Sequence, residues 1–438
     1  MDSSSRAVTA DCSSMMGMGN VESVGVTTAS HNAQERTTAT GVLFIAPSSG
    51  EHTQISPRTI LLGLPLLRRS VLAASRAGFE RIVVQTAEPA GMRRLLHGVS
   101  ATVLSPGETI DPLPPGRIVL LAANILGQPD WFRRLLDMPI EPGMLYRDAD
   151  GVAVIDAVDS HAISSIVSRG LPASDLFAAL GQSFNTVDRR LGQHGMLALT
   201  RPRDVAQAED WLLRSLVKET EGFMSRHFER WISLAISRRL VSTRITPNTM
   251  TAVSIGIGLV GAPFFLSSIP AYQLTGALLF LAHSILDGCD GELARLKFQE
   301  SRWGGLIDFW GDNVVHVAVF SCMAVGWSLA IQAPWPLLLG AMAVAGTVGS
   351  AWFAYWHTMR EKRSDGPLFT SIVGSPGPGV SRLLDALANR DFIYGIVLLS
   401  AFGKAAWFLV LTAIGAPVFF LLLLWTARNN LSKEERLS

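Results

Sequence analysis

The sequence predicts a two-part molecule: a soluble α/β domain built on a parallel sheet, followed by an all-α domain of six transmembrane helices. Three observations carry this expectation. Short apolar runs alternate with helical patterns over residues 41–205, as in strand–helix–strand units. Residues 246–286 and 313–359 contain no Asp, Glu, Lys or Arg. Each stretch has room for two helices of about 20 residues, the length that spans a bilayer. Between them stand Asp287, Asp290, Asp308 and Asp312. Carboxylates at membrane depth are costly and mark function.

Taken in order, residues 1–40 are rich in Ser, Thr, Ala and Gly, lack the apolar run of a signal peptide, and read as a disordered tail. Strands are expected at 41–46, 81–86 and 117–123, and weaker ones at 151–155 and 196–200. Helices are expected at 61–78, where Gly78 supplies the stop, and at 129–138. Residues 206–243 read as one amphipathic helix in which Trp211, Phe223, Phe228 and Trp231 alternate with Arg214, Lys218, Arg226 and Arg230. Such a helix suits a membrane surface; the blander reading is a solvated linker. The transmembrane domain is expected over 244–430, with spans at 248–268, 271–296, 303–330, 335–358, 383–402 and 405–427, and an irregular loop at 364–381.

Arg295, Lys297, Arg302, Arg360, Lys362, Arg363, Arg382, Arg390 and Arg428 cluster on one side of these spans, with Lys404 on the other. The excess of cations puts the N-terminal domain, the aspartates and the C-terminus on the cytoplasmic side of the cell's inner membrane. The net charge of +1 gives no sign of a nucleic-acid partner. Cys12, Cys289 and Cys322 are too far apart for a metal or disulfide pattern.

Asp287, Asp290, Gly291 and Ala294 fall at i, i+3, i+4 and i+7, on one helix face; Gly304, Asp308 and Asp312 fall at i, i+4 and i+8, on another. If the two faces meet, four carboxylates share one cavity. Hard oxygen ligands without His or Cys select Mg²⁺, Mn²⁺ or Ca²⁺, and four negative charges balance one or two such ions. Gly291 and Gly304 let a bulky ligand approach the backbone.

The run D-x2-D-G-x2-A-R-x8-G-x3-D-x3-D, formed by Asp287, Asp290, Gly291, Ala294, Arg295, Gly304, Asp308 and Asp312, resembles the signature of the CDP-alcohol phosphotransferases. The resemblance implies transfer of a phosphoalcohol group from a CDP-alcohol donor to an alcohol acceptor, with release of CMP. It implies one Mg²⁺ or Mn²⁺ held by Asp287, Asp290 and Asp308, and a second held by Asp287, Asp308 and Asp312. Asp312 is then the general base, and Gly291, Ala294, Arg295 and Gly304 line the CDP site. The family tends to form homodimers. Thr246-Pro247-Asn248 matches either a family feature before the first span or simply a helix start with Pro in its first turn. Arg360 and Arg390 suit either a phosphate on the acceptor or the cation bias alone.

Residues 41–205 resemble sugar nucleotidyltransferases through Pro65-Leu66-Leu67 and the stretch 77–84. The chemistry of that family is missing. Ala46-Pro47-Ser48-Ser49-Gly50 lacks the Gly-rich phosphate loop, and Asn124 and Leu199 stand where metal-binding Asp residues belong. From residue 41 onward the chain resembles the bifunctional inositol-1-phosphate cytidylyltransferase / di-inositol-phosphate phosphate synthase enzymes, with a degenerate first half. Loss of those groups favours a donor made elsewhere, and hence phospholipid synthesis from CDP-diacylglycerol. The alternative is a soluble inositol phosphodiester made from CDP-inositol and inositol phosphate. A non-enzymatic membrane protein is the third reading, against which the intact aspartate pattern argues.

Overall fold

A computed structural model describes residues 41–48, 54–192, 195–217, 224–359 and 392–434. The expected tail, the loop at 364–381, the first part of the fifth span, Arg360 and Arg390 lie outside the described residues.

The N-terminal part is α/β. Its central strand β1 (Val42–Ala46) is buried along its whole length, which is why it reads as an unbroken apolar run. The remaining strands are β2 (Ile60–Leu61), β3 (Leu64–Pro65), β4 (Arg81–Gln85), β5 (Thr102–Leu104), β6 (Gly116–Ala122), β7 (Ile125–Gly127), β8 (Leu145–Asp148), β9 (Val152–Ala157), β10 (Thr186–Asp188) and β11 (Met196–Ala198). Seven of them form one sheet in the order β10-β8-β9-β6-β1-β4-β5. β1 pairs in parallel with β4 and β6, β4 with β5, and β10 with β8.

The sheet is mixed rather than wholly parallel, because β9 runs antiparallel to both β6 and β8. β8 and β9 are joined by residues 149–151, with Gly151 at φ 97°. A connection that short can only return the chain antiparallel; a parallel pair needs a crossover. The short strands β5, β8 and β10 lack a sequence run long enough to announce them. The weak candidate at 196–200 is β11, which pairs antiparallel with β7 outside the main sheet.

Helix α1 (Leu66–Ala77) starts later than expected, because β2 and β3 form a tight hairpin first. It stops at Gly78 in the left-handed conformation, as expected. Three helices, α2 (Pro89–Leu95), α4 (His161–Val167) and α5 (Ala173–Ser183), were not singled out in the sequence, whereas α3 (Pro129–Asp137) falls where expected.

The single amphipathic helix expected at 206–243 is two helices. α6 (Pro202–Arg214) is capped by Asp204, which accepts from the backbone N–H groups of Thr200 and Arg201 at 2.8 Å each. α7 (Arg230–Leu240) follows a π-helical turn at Ser225–Glu229. Arg238 on α7 pairs with Glu209 at 3.3 Å and Asp210 at 3.0 Å on α6, so part of the basic stripe binds its own chain. Phe228 and Trp231 remain exposed.

The C-terminal part is helical: α8 (Pro247–Gly261), α9 (Pro270–Lys297), α10 (Arg302–Ile331), α11 (Trp335–Ala354), α12 (Phe392–Ala401) and α13 (Ala405–Glu434). Among the described residues, four segments are long and apolar enough to cross a membrane: Pro247–Leu266, Arg302–Ile331, Trp335–His357 and Ala405–Arg428. α9 is also long, at 28 residues, but its last turns carry the charged motif. An apolar core of Ala277, Phe280, Val315, Val319, Phe320 and Phe408 joins these helices.

The two parts share a core. Leu61, Leu66, Leu126, Leu199, Leu212 and Leu213 pack in one cluster with Cys289, Leu293 and Leu296 of α9. A buried ion pair also fixes α7 to α9. Glu292 accepts from Arg230 and from Ser233, each at 2.7 Å.

Candidate active site

α9 carries Asp287 and Asp290 in its C-terminal half, and α10 carries Asp308 and Asp312. One carboxylate oxygen each from Asp287, Asp308 and Asp312 lies within 4.8 Å of the others. Asp290, one turn along α9 from Asp287, is buried and takes a hydrogen bond from the Thr251 hydroxyl of α8. The structure thus gathers three of the four expected ligands, with the fourth tethered to a neighbouring helix. Asp308 Oδ1 is out of reach of solvent and has no hydrogen-bond partner. Buried acceptors are normally satisfied. Three converging carboxylates with such an oxygen among them suit a hard divalent cation.

The glycines of the motif have local reasons. A Cβ on Gly304 would stand 2.9 Å from Asn248 Oδ1 and 3.0 Å from Ser301 Oγ, so both side chains would have to shift to admit one. Ser301 caps α10 by accepting from the Gly304 N–H, and Thr246 caps α8 by accepting from the Thr249 N–H. The Thr-Pro-Asn stretch is therefore a helix start, and its Asn also faces the motif. A Cβ on Gly291 would lie 3.3 Å from Arg295 Nη1. Gly291, Ala294 and Arg295 are half-buried on the same α9 face.

Two participants escaped the sequence reading. Thr251 lies one helical turn beyond Asn248, and His283 one turn before Asp287. His283 Nδ1 is 3.0 Å from the Ser254 carbonyl of α8, and its Nε2 is 3.6 Å from Asp312 Oδ1. A carbonyl only accepts, so Nδ1 carries a hydrogen and Nε2 faces the carboxylate. His316 Nδ1 lies 2.7 Å from the backbone oxygen of Asp312. Both missed residues sit in charge-free apolar sequence; the available signal was helical spacing, i−4 from Asp287 for His283 and i+3 from Asn248 for Thr251.

Residues 244–374 match the family model described as CDP-alcohol phosphatidyltransferase. The chain carries a CDP-alcohol phosphatidyltransferase domain. A bifunctional IPC transferase and DIPP synthase of Thermococcus kodakarensis is 36% identical over 155 residues, 35% of this chain and 34% of that protein. A CDP-diacylglycerol–serine O-phosphatidyltransferase of Mycobacterium leprae is 36% identical over 107 residues, 22% of this chain and 35% of that protein. The matched segment thus spans about a third of the length of these curated relatives. A crystal structure of Mycobacterium tuberculosis phosphatidylinositol phosphate synthase with CDP-DAG bound overlaps 45% of this chain and 93% of its own, at 18% identity. Its TM-score of 0.33 is too low to carry an argument.

Proposed function

We propose that this protein is an integral membrane enzyme that moves a phosphoalcohol group from a CDP-alcohol to an alcohol acceptor and releases CMP. The observation that carries the reading is the approach of Asp287, Asp308 and Asp312 to within 4.8 Å, on two neighbouring helices that bear the complete family motif.

In this reading Asp287, Asp290 and Asp308 hold one Mg²⁺ or Mn²⁺, and Asp287, Asp308 and Asp312 hold a second. Bound there, such ions neutralise the charge of the diphosphate and of the leaving CMP. The half-buried face of Gly291, Ala294, Arg295 and Gly304 receives the CDP group. Asp312 takes the proton of the acceptor hydroxyl. The acceptor oxygen forms its bond to the donor's phosphorus, and the bond from that phosphorus to the CMP oxygen breaks. The chain's contribution is mostly positioning and charge balance, as suits phosphoryl transfer. Arg360 and Arg390 are proposed to grip a phosphate on the acceptor.

The proposed arrangement has six spans, which adds α9 and the segment containing α12 to the four long apolar helices. The α/β domain (41–205), the surface helices (206–243) and the active site of the 244–430 domain face the cytoplasm, at the inner membrane, with homodimers as the assembly. Supporting this orientation, the cations gather at the aspartate end of the helices.

The product is proposed to be a phospholipid made from CDP-diacylglycerol. Likeness to the bifunctional relatives supports a second reading with equal force: a soluble inositol phosphodiester made from CDP-inositol and inositol phosphate. The test is CMP release by purified protein from CDP-diacylglycerol and from CDP-inositol across a panel of alcohol acceptors, with Asp308→Asn alongside. Release from one donor, abolished by EDTA and by Asp308→Asn, is the expected result. No CMP from either donor, or an unaffected Asp308→Asn variant, refutes the metal-centred mechanism.

A further inference from the structure

The turn between the two aspartate-bearing helices is gripped by the α/β domain. It runs over residues 298–301, from the end of α9 to the cap of α10. Phe298 ends α9 in the left-handed conformation, at φ 56° and ψ 40°, where a residue with a large side chain is rarely found. Such a backbone persists only where its surroundings over-determine it. Here the ring packs against the core of the α/β domain. The guanidinium of Arg76 lies 4.8 Å from the ring centroid and that of Arg69 lies 5.7 Å from it, both from α1. Cations over an aromatic face at these distances attract it.

The neighbours of Phe298 are fastened too. Arg76 forms an ion pair with Glu300. Arg69 is itself held by the Leu61 and Leu62 carbonyls, at 2.9 and 3.1 Å. Burial pushes its guanidinium down to about 10, with Glu209 opposing the shift, so it stays charged at neutral pH. Lys297 donates to the carbonyls of Thr243 and Ile245, at 2.9 and 2.7 Å, which ties the same turn to the entry of α8.

We infer that the α/β domain positions the metal centre: α1 clamps Phe298 and Glu300, and the clamp sets the approach of α9 to α10. The inference rests on the proposed phosphotransferase reading and adds a task for a domain that has lost its own catalytic groups. Asp290 lies eight residues before Phe298 and Asp308 ten residues after it. Any change in how the turn holds the two helices is therefore carried directly into the spacing of the carboxylates. Phe298, Glu300, Arg69 and Arg76 touch no substrate in this account; they are positioning residues.

The experiment uses the full chain in detergent or nanodiscs and reads two quantities: Mn²⁺ affinity by electron paramagnetic resonance, and CMP release. Arg76→Glu should weaken Mn²⁺ binding and CMP release by about 10-fold or more, as loss of outer support does at metal sites. Combining it with Glu300→Arg restores the opposite charges and should bring both readouts back toward the unmutated protein. Phe298→Gly relieves the left-handed backbone yet removes the ring, and should also weaken Mn²⁺ binding. The clamp is refuted if Arg76→Glu leaves Mn²⁺ affinity unchanged, or if the reversed pair recovers nothing while each variant is folded by size exclusion and circular dichroism. Mn²⁺ binding without CMP release in the unmutated protein overturns the phosphotransferase reading and leaves the clamp measurable by affinity. Absence of Mn²⁺ binding overturns both.

Discussion

At Asn124 the side-chain amide donates from Nδ2 to the Leu199 carbonyl at 3.0 Å, while the Leu199 N–H donates to the Asn124 carbonyl at the same distance. These are the two positions where the nucleotidyltransferase resemblance calls for metal-binding aspartates. A carboxylate at 124 could not donate to that carbonyl, and Leu199 is 1% exposed inside the core shared with α9. Where that resemblance would place metal ligands, the structure has a reciprocal pair of hydrogen bonds. Asn124→Ala should therefore cost about 1–3 kcal/mol of stability, the price of leaving a buried group unsatisfied. CMP release per folded molecule should stay unchanged. Thermal unfolding and the CMP assay on the same preparation check both halves; a large loss of turnover at full folding would mean this site still does chemistry. The motif aspartates were legible in the sequence because charge and spacing mark them. Thr251 and His283 were not, since a hydroxyl or an imidazole in an apolar run leaves no contrast until the helices are packed.

The elements that read well are those whose pattern is continuous. The fully buried β1 and the charge-free stretches of α8, α10 and α11 announce themselves by apolar runs of the right length. The elements that misread are set by contacts beyond their own sequence. The antiparallel turn at Gly151 mixes the sheet, and the expected single helix is two, with Arg238 of one paired to Glu209 and Asp210 of the other. The link from α7 to α9 has the same character. Glu292 is fully buried, and its cation comes from Arg230, 62 residues earlier. Removing one partner of a buried pair leaves a desolvated charge and costs about 3–5 kcal/mol, whereas replacing both with apolar groups is often neutral. Arg230→Met should thus lower the unfolding temperature markedly, and Arg230→Met with Glu292→Met should recover most of the loss. Unfolding followed by circular dichroism in one detergent tests the pair. Equal stability of the single variant and the unmutated protein would mean that the ion pair does not hold α7 to α9.

The two halves could be told apart in the sequence by composition, but their joining could not, because the residues that meet are far apart in the chain. Leu61, Leu126 and Leu199 from the α/β domain and Leu293 and Leu296 from α9 occupy one apolar cluster. Two domains that share a buried core lose it together, so the molecule should unfold as one cooperative unit. Leu199→Ala opens a cavity at the centre of that core and should cost about 2–5 kcal/mol. The loss should appear at both ends of the molecule. Protease cleavage within residues 54–192 and release of Mn²⁺ from the aspartates should move to lower temperature by the same amount. If the α/β domain became cleavable while the aspartates kept their ion, the halves would be independent units and the shared cluster a contact without mechanical consequence.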